Sequence, residues 1–451
     1  GMTGAPEASG QTTPSGTEPA GSSYSGMAYD SYRNRLLIAF TEQNWPDSGR
    51  CVSGAISGTT ASYGTAVTFS SDNVEKISAC FDSDNNVSLI CYRNQTTSDY
   101  LTVVAATMDA AGALSIGTAV SAGDGSNWQG ITYDTTNNVG VAVYSDTGNS
   151  GRGTCRVVSV SGTTISFGAA ANFNTGAKAH MQGNNIAHDS NSGKFVVTYG
   201  DVANSIYGTA VVGTVSGTSI TYGTPVVYLS DAVYTSCITF DSNANKMVIA
   251  FIDQNDGESV NSIVGTVSGT AISFGSVSAE IAAKGEQFGI AFDSALNKVV
   301  LTYNERTTSD KGEVSVGTVS GTSITWTTPV EFYSAIYAGE SMAYDVNSGT
   351  SLVAYREASG SFYLKANVIT TAGTNLTATN FIGISDAAIL DTASGNVTIK
   401  GGIAATGLTS LTSGSDYYAQ GDGTISTVST GSAVKIGKAM SATSINLEYQ
   451  S

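Results

Sequence analysis

At seven regularly spaced places in this sequence an acidic or amide residue stands two positions after an aromatic one. The instances are Phe40-x-Glu42, Tyr92-x-Asn94, Tyr144-x-Asp146, Tyr199-x-Asp201, Phe251-x-Asp253, Tyr303-x-Glu305 and Tyr355-x-Glu357. Carboxylates gathered at one place repel one another unless a cation or a hydrogen-bonding ligand joins them. Two of them at a set separation are also what glycoside hydrolysis requires. Six carboxylates and Asn94 therefore have three chemical uses if the fold assembles them: a cation site, a crown for polyhydroxyl ligands, or an acid pair. Kept apart, they are strand ends whose side chains bond nearby backbone N–H groups.

A second acidic set closes short apolar runs: Asp30, Asp82, Asp134, Asp189, Asp241, Asp293 and Asp345. Polar turns follow, such as Ser242-Asn243-Ala244-Asn245. No loop carries an EF-hand ligand series, so we read these residues as Asx-type turn caps rather than calcium ligands. Other catalytic patterns are missing from the sequence. There is no GxSxG elbow, HExxH pair, P-loop or SxDxGxxW box. Of the two histidines, His188 replaces the tyrosine of a repeated AYD motif and reads as a core variant. His180 lies in an enlarged connection, Thr175–Asn185. No catalytic residue and no cofactor is assigned, and a non-enzyme is expected.

The elements that must position these residues follow from a repeat. The capping aspartates are spaced 52, 52, 55, 52, 52 and 52 residues apart. A turn glycine (Gly58, Gly112, Gly162, Gly217, Gly269, Gly321, Gly373) keeps the same count of seven, with spacings of 50 to 55. Each repeat reads as four short strands. In the fifth they are Ile238–Asp241, Lys246–Phe251, Ser262–Ser268 and a run beginning at Ala271. The second strand is an apolar run suited to burial on both faces. Four antiparallel strands per repeat of this length is the pattern of a seven-bladed β-propeller, an all-β fold. We place it at residues 24–378. Residues 1–23, rich in Gly, Ser, Thr, Pro and Ala, read as a flexible linker. Residues 379–451 read as a small β-domain for attachment or oligomerisation, with strands at 396–400, 434–437 and 445–449.

This topology sorts the residues onto two faces. The Asp and Gly turns share a uniform face. The loops between second and third strands, and the blade-to-blade connections, make a variable face, where function usually resides. The acids end the second strand on that variable face, so a ring of six carboxylates and Asn94 around a channel mouth is expected. Aromatics gather there too: Trp45, Tyr100, Trp128, Tyr207, Tyr234, Phe288 and Tyr337. They serve either as stacking surfaces for sugars and proteins or as plugs between blades. Of these, Trp45, Trp128, Tyr234 and Tyr337 join the acids as candidate ligand contacts.

Bulk properties narrow the partners. The 451 residues carry a net charge of −17, with 19 basic residues scattered among 36 acidic ones. Nucleic acid and anionic lipid are not expected partners. No apolar run is long enough to span a membrane, and no secretory leader is read at the start. Five cysteines without a CxxC pair read as buried thiols rather than disulfides or zinc ligands.

The C-terminal segments carry a resemblance. Leu411-Thr412-Ser413-Gly414-Ser415-Asp416-Tyr417-Tyr418, Gly423-Thr424-Ile425-Ser426-Thr427 and Val434–Thr443 (VKIGKAMSAT) resemble the C-terminal segments of tailed-phage tail-fibre and virion appendage proteins. Asn380–Ser385 fits the same pattern, and the GTVSGTSITYGTPV repeats resemble repeats of phage structural proteins. The resemblance implies a virion component assembled in the host cytoplasm. Its partners would be a host surface glycan or receptor, other virion proteins, or further copies of the chain. It brings no catalytic residues. The alternative is a cellular lectin-like or glycan-cleaving propeller that uses the acidic ring.

Overall fold

A computed structural model describes residues 6–8, 11–14, 20–42, 47–174, 176, 178–307, 310–358, 363–371, 383–385, 397–399, 402–405, 408, 410–419, 425–427 and 434–447. Residues 6–371 form one compact unit, and residues 372–451 belong to a second.

In the first unit the repeats become antiparallel sheets on a common four-stranded plan, several with an added short strand, and the sheets of the second and third repeats share the long strand Val120–Asp134. Blade five shows the plan, with Ser236–Asp241, Lys246–Asp253, Ser259–Ser268 and Ala271–Phe274 hydrogen-bonded in chain order. Its last two strands meet through Gly269-Thr270, where Ser268 pairs with Ala271 and Gly269 takes φ +61°. A positive φ there is why the turn glycine recurs. The second strands are buried on both faces, as in Met247–Ile252 and Val299–Tyr303. A sheet that is apolar on both faces must be covered on both. Hydrophobic clusters accordingly lie between every neighbouring pair of blades, including blade seven against blade one through Leu352, Val368, Leu36 and Ile38. The first strands touch in order, and that of blade seven touches that of blade one, so the ring is closed and these strands face its axis.

The aromatics of the second strands are core. Phe40, Tyr92, Tyr144, Tyr199, Phe251, Tyr303 and Tyr355 are all buried. Four meet a ring from the preceding blade at 4.9–5.4 Å between centroids: Phe69 on Tyr92, Phe173 on Tyr199, Tyr228 on Phe251 and Phe332 on Tyr355. Those preceding rings lie over glycines of their own third strands, Gly49, Gly153, Gly208 and Gly312, where a Cβ would collide with them.

The repeated aspartates are turn caps in all seven blades. Each Oδ1 accepts from the backbone N–H groups two and three residues on, as Asp241 does from Asn243 and Ala244 at 3.0 and 2.8 Å. Several also meet the next blade. His188 Nε2 lies 3.0 Å from Asp134 Oδ1. The phenol of Tyr29 is pushed up to about 12 by burial and by Asp345 of blade seven.

The N-terminal stretch departs from the linker expectation. Glu7–Ala8 pairs with Thr370 and Ile369, and Thr12 exchanges backbone hydrogen bonds of 2.9 Å with Ala366. Blade seven has three strands of its own (Ile336–Asp345, Thr350–Glu357 and Leu364–Thr370), and the chain's beginning supplies the fourth. The compact unit accordingly begins at Pro6 and ends at Thr371, rather than spanning 24–378. Gly373 lies outside the described residues.

The second unit holds a sheet in which Ile403–Ala404, Ser444–Leu447, Val434–Ser441, Asp416–Ala419 and Ile425–Ser426 are neighbours, and a separate pair, Gly383–Ser385 with Val397–Ile399. Its core is Ala404, Leu411, Tyr417, Ile436, Ala439, Ile445 and Leu447. All five cysteines are unpaired, and all but Cys80 are fully buried. Among the described residues no helix is long and apolar enough to cross a membrane.

Two outcomes are expected. Removing residues 1–14 exposes the edge of Leu364–Thr370 and should lower the urea midpoint by the equivalent of about 1–3 kcal/mol. An unchanged midpoint would show that the strand adds nothing to closure. The second outcome concerns pH. Burial pushes the Asp134 carboxyl up, but His188 and Asn137 outweigh it and hold it below the ordinary carboxylate range. Its contribution is therefore present above about pH 4 and lost as pH falls further. Asp241 is shifted upward, chiefly by burial, so its ionised form is disfavoured in the fold. Asp134→Asn should cost about 1–3 kcal/mol at pH 7 and less at pH 3. Asp241→Asn, which keeps the Oδ1 acceptor, should be neutral or stabilising at pH 7. Urea titrations at the two pH values check both.

Candidate binding site on the propeller axis

Three first strands, in blades two, three and six, are bulged where they pass the buried aromatic of the second. In blade two Glu75 pairs with Arg93 and Ser78 with Cys91, so Lys76 and Ile77 face Tyr92 alone. In blade three Asn127 pairs with Ser145 and Gly130 with Val143, leaving Trp128 and Gln129 opposite Tyr144. In blade six Gln287 is the extra residue. A bulge re-aims a side chain, and here the strand being bulged lines the axis. Lys76, Trp128 and Gln287 take φ +53°, +52° and +51°. Such a left-handed backbone costs a residue with a Cβ roughly 1–2 kcal/mol. Blade four uses Gly183 at φ +114°, where a Cβ would run into the Ser236 carbonyl. Positions 76, 128, 183, 235 and 287 keep the spacing of the repeat, and the left-handed bulge falls on Lys76, Trp128 and Gln287.

These residues surround a cavity of ≈ 110 Å³ on the axis. Its polar wall includes Lys76, Gln129, Gln182, Asn184 and Gln287, with Trp128 beside them. Trp128 holds the Lys76 ammonium over its ring, 3.5 Å from the centroid. Burial pushes the Lys76 amine down to about 7; Arg93 adds to the shift and Glu75 opposes it. Glu75 is itself within 3.4 Å of the Arg93 guanidinium. Gln129 is buried, and its Nε2 donates to the carbonyls of Lys76 at 2.5 Å and Glu75 at 3.3 Å. That fixes the amide's orientation and leaves its Oε1 buried with no hydrogen-bond partner. No carboxylate is among the residues lining the cavity, although the protein is strongly acidic.

The expected acidic ring is not what the second strands build. Their acidic ends lie on the same face as the cavity, but one strand farther from the axis, and none of them lines it. Each is taken up locally. Asn94, Asp146 and Asp201 cap single 3-10 turns, accepting from the N–H groups of Thr96, Asn149 and Ala203. Asp253 accepts from Asn255 and Asp256, and Glu305 from the N–H and hydroxyl of Thr307. Glu42 pairs with Arg50 at 3.0 Å, and Glu357 accepts from the Tyr333 hydroxyl. Burial raises the Asp146 and Asp253 carboxyls, and Asp124 and Asp231 beside them add to it. No group of three or more His, Cys, Asp or Glu residues among the described residues is arranged to hold a metal ion.

Of the aromatic candidates, Trp128 lies in the cavity wall. Tyr234 is 37% exposed, stands edge-on to His180 at 4.9 Å, and is not part of that wall. Trp45 and the side chain of Tyr337 lie outside the described residues. The sequence reading missed Lys76, Gln129, Gln182, Asn184 and Gln287. The only signal for them was position, within the short stretch five to seven residues before the capping aspartate of each repeat.

Closed ring, axial first strands and interlocking blades define an all-β propeller. No protein-family model matches the sequence, and no curated protein matches it. Solved structures do share the fold. A lectin of Burkholderia pseudomallei aligns with TM-score 0.56 and 13% identity over 78% of this chain and 97% of its own. A periplasmic gluconolactonase of Pseudomonas aeruginosa gives TM-score 0.50 and 9% identity over 69% and 86%. A protein of unknown function from Dyadobacter fermentans gives 0.50 and 10% over 82% and 100%. At these identities the likeness is one of fold.

Because Gln287 takes φ +51° and glycine adopts such a backbone freely, Gln287→Gly should relieve backbone strain. We expect an unchanged or higher stability, by up to about 1 kcal/mol. Gly183→Ala should destabilise by more than about 1 kcal/mol through strain and collision. Chemical denaturation reads both. A marked loss in Gln287→Gly would mean that the amide serves the fold.

Proposed function

We propose that the chain is a non-catalytic binding component of the tail-fibre type, whose propeller binds a host surface glycan through the axial cavity. The observation that carries this reading is the cavity wall. Three residues with side chains, Lys76, Trp128 and Gln287, are held there in a backbone conformation that costs stability. Strain of this kind persists where function requires it. Amides, an indole and one lysine around a small cavity of mixed polar and apolar lining suit hydroxyl-rich ligands. The virion assignment rests on the resemblance of the C-terminal segments. That region has its own buried core, as a module for joining other virion proteins or further copies of the chain would.

The test is binding of the full chain to a glycan array and to whole bacterial cells. Trp128→Ala should lower affinity at least tenfold, about 1.4 kcal/mol. Because Trp128 also packs against its neighbours, Asn184→Ala, at an exposed position, is run beside it and should also weaken binding. Full binding by both variants, or none by the unaltered chain, would overturn the proposal.

A further inference from the structure

We infer that the axial cavity takes the N-acetyl group of a sugar, its methyl against an apolar floor and its amide among the amides of the mouth. This rests on the reading of the cavity as a glycan site and adds the chemical class of the ligand.

The lining is sorted by depth. Each first strand runs from the variable face to its capping aspartate on the uniform face, so distance back from that aspartate along the chain measures height in the cavity. Lys76, Trp128, Gln129, Gln182, Asn184 and Gln287 stand five to seven residues before it, at the mouth. Ile77 and Phe288 share that level but belong to the cores between blades. Met27, Ala79, Ile290 and Met342 stand three residues before the aspartate and line the deeper part. The serine hydroxyls of the lining are engaged: Ser25 bonds Ser341 at 2.7 Å, and Ser78 accepts from the Ile131 N–H at 3.3 Å. Polar side chains thus surround the mouth, and methyl and methylene groups make the floor. A hydroxyl pushed down to that floor would give up water and find little in return. A methyl group placed there gains by leaving water.

Size sets how much enters. A water occupies about 10–15 Å³ of such space, so ≈ 110 Å³ holds on the order of ten waters. That is room for an acetamido group and the part of the ring that carries it, and not for an oligosaccharide lying along the axis.

Hydrogen bonding at the mouth fits the same group. Gln129 is buried, its Nε2 is held by two carbonyls, and its Oε1 is an acceptor with no hydrogen-bond partner. The acetamido N–H, or a hydroxyl beside it, supplies the missing donor. Gln182, Asn184 and Gln287, from blades four and six, carry amide groups that can donate to the acetamido carbonyl. A neutral ligand also suits Lys76. Burial pushes its amine down to about 7, with Glu75 acting on it and the Trp128 ring against it, so no anion is called for.

The experiment uses the full chain with four free sugars, N-acetylglucosamine and N-acetylgalactosamine against glucose and galactose. Binding is measured by calorimetry and saturation-transfer NMR. At least one N-acetylated sugar should bind about tenfold more tightly than its plain counterpart, the sum of one buried methyl and one hydrogen bond. In the NMR experiment its acetyl methyl should take up the strongest saturation of any proton in the ligand. Ala79→Val, which fills the floor, should abolish the preference and leave the plain sugars unchanged. The variant is first checked for an unchanged urea midpoint, and if it fails that check the methyl saturation in the unaltered chain decides. Equal affinity for N-acetylated and plain sugars, or saturation weakest at the methyl, would sink the N-acetyl inference. If that binding still falls in Trp128→Ala, the axial glycan site stands. Binding that survives both Ala79→Val and Trp128→Ala would overturn the axial site as well. Absence of binding by all four sugars would overturn the inference, and a silent glycan array besides would overturn the glycan reading.

Discussion

The fold depends on second strands that are apolar on both faces. One four-stranded sheet has no way to cover both sides of such a strand. Each blade therefore needs a neighbour on either side, and the requirement ends only when the last blade meets the first. Every other regularity serves that packing. Aromatic rings cross from one blade to the next onto the buried aromatic of the second strand. Glycines in the third strands make room for them. The capping aspartates hold the uniform face together within each blade and, at Asp134 and His188, between blades.

Much of this was legible in the sequence, because the signals are local. An Asp followed by two free N–H groups and an apolar run of six residues each announce themselves within a few positions. The second strands and the caps stand where the 52-residue spacing puts them. The fourth strand of blade seven was not legible. Glu7 meets Thr370 across almost the whole propeller, and a two-residue strand in a Gly- and Ser-rich stretch has no periodicity to reveal it. The acids misled for a different reason. Chain order does not say that the second strand stands off the axis or that most of these side chains turn back to their own loops, with Glu42 on Arg50 and Glu357 on Tyr333. Trp128 was noticed for its chemistry. Lys76 and Gln287 were passed over, because one repeat position occupied by Lys, Trp, Gly, Thr and Gln looks like no pattern at all until the bulge is seen.

That position separates what the scaffold fixes from what it leaves open. The bulge, its place opposite the buried aromatic and its left-handed backbone recur in several blades. The side chains there differ completely. The packing core thus presents three equivalent sites at the axis whose chemistry can change one blade at a time, without touching the strands that hold the ring shut.

The borrowed strand of blade seven has a mechanical corollary. Glu7 lies directly opposite Thr370, and the chain enters the pair just before one and leaves it just after the other. Pro6 and Thr371 therefore stand at the same end of one antiparallel pair. A pull that draws those two residues apart peels this seam open one hydrogen bond at a time, the weakest way to load a strand. The ring is thus held by a clasp whose release begins at Glu7 and Thr370.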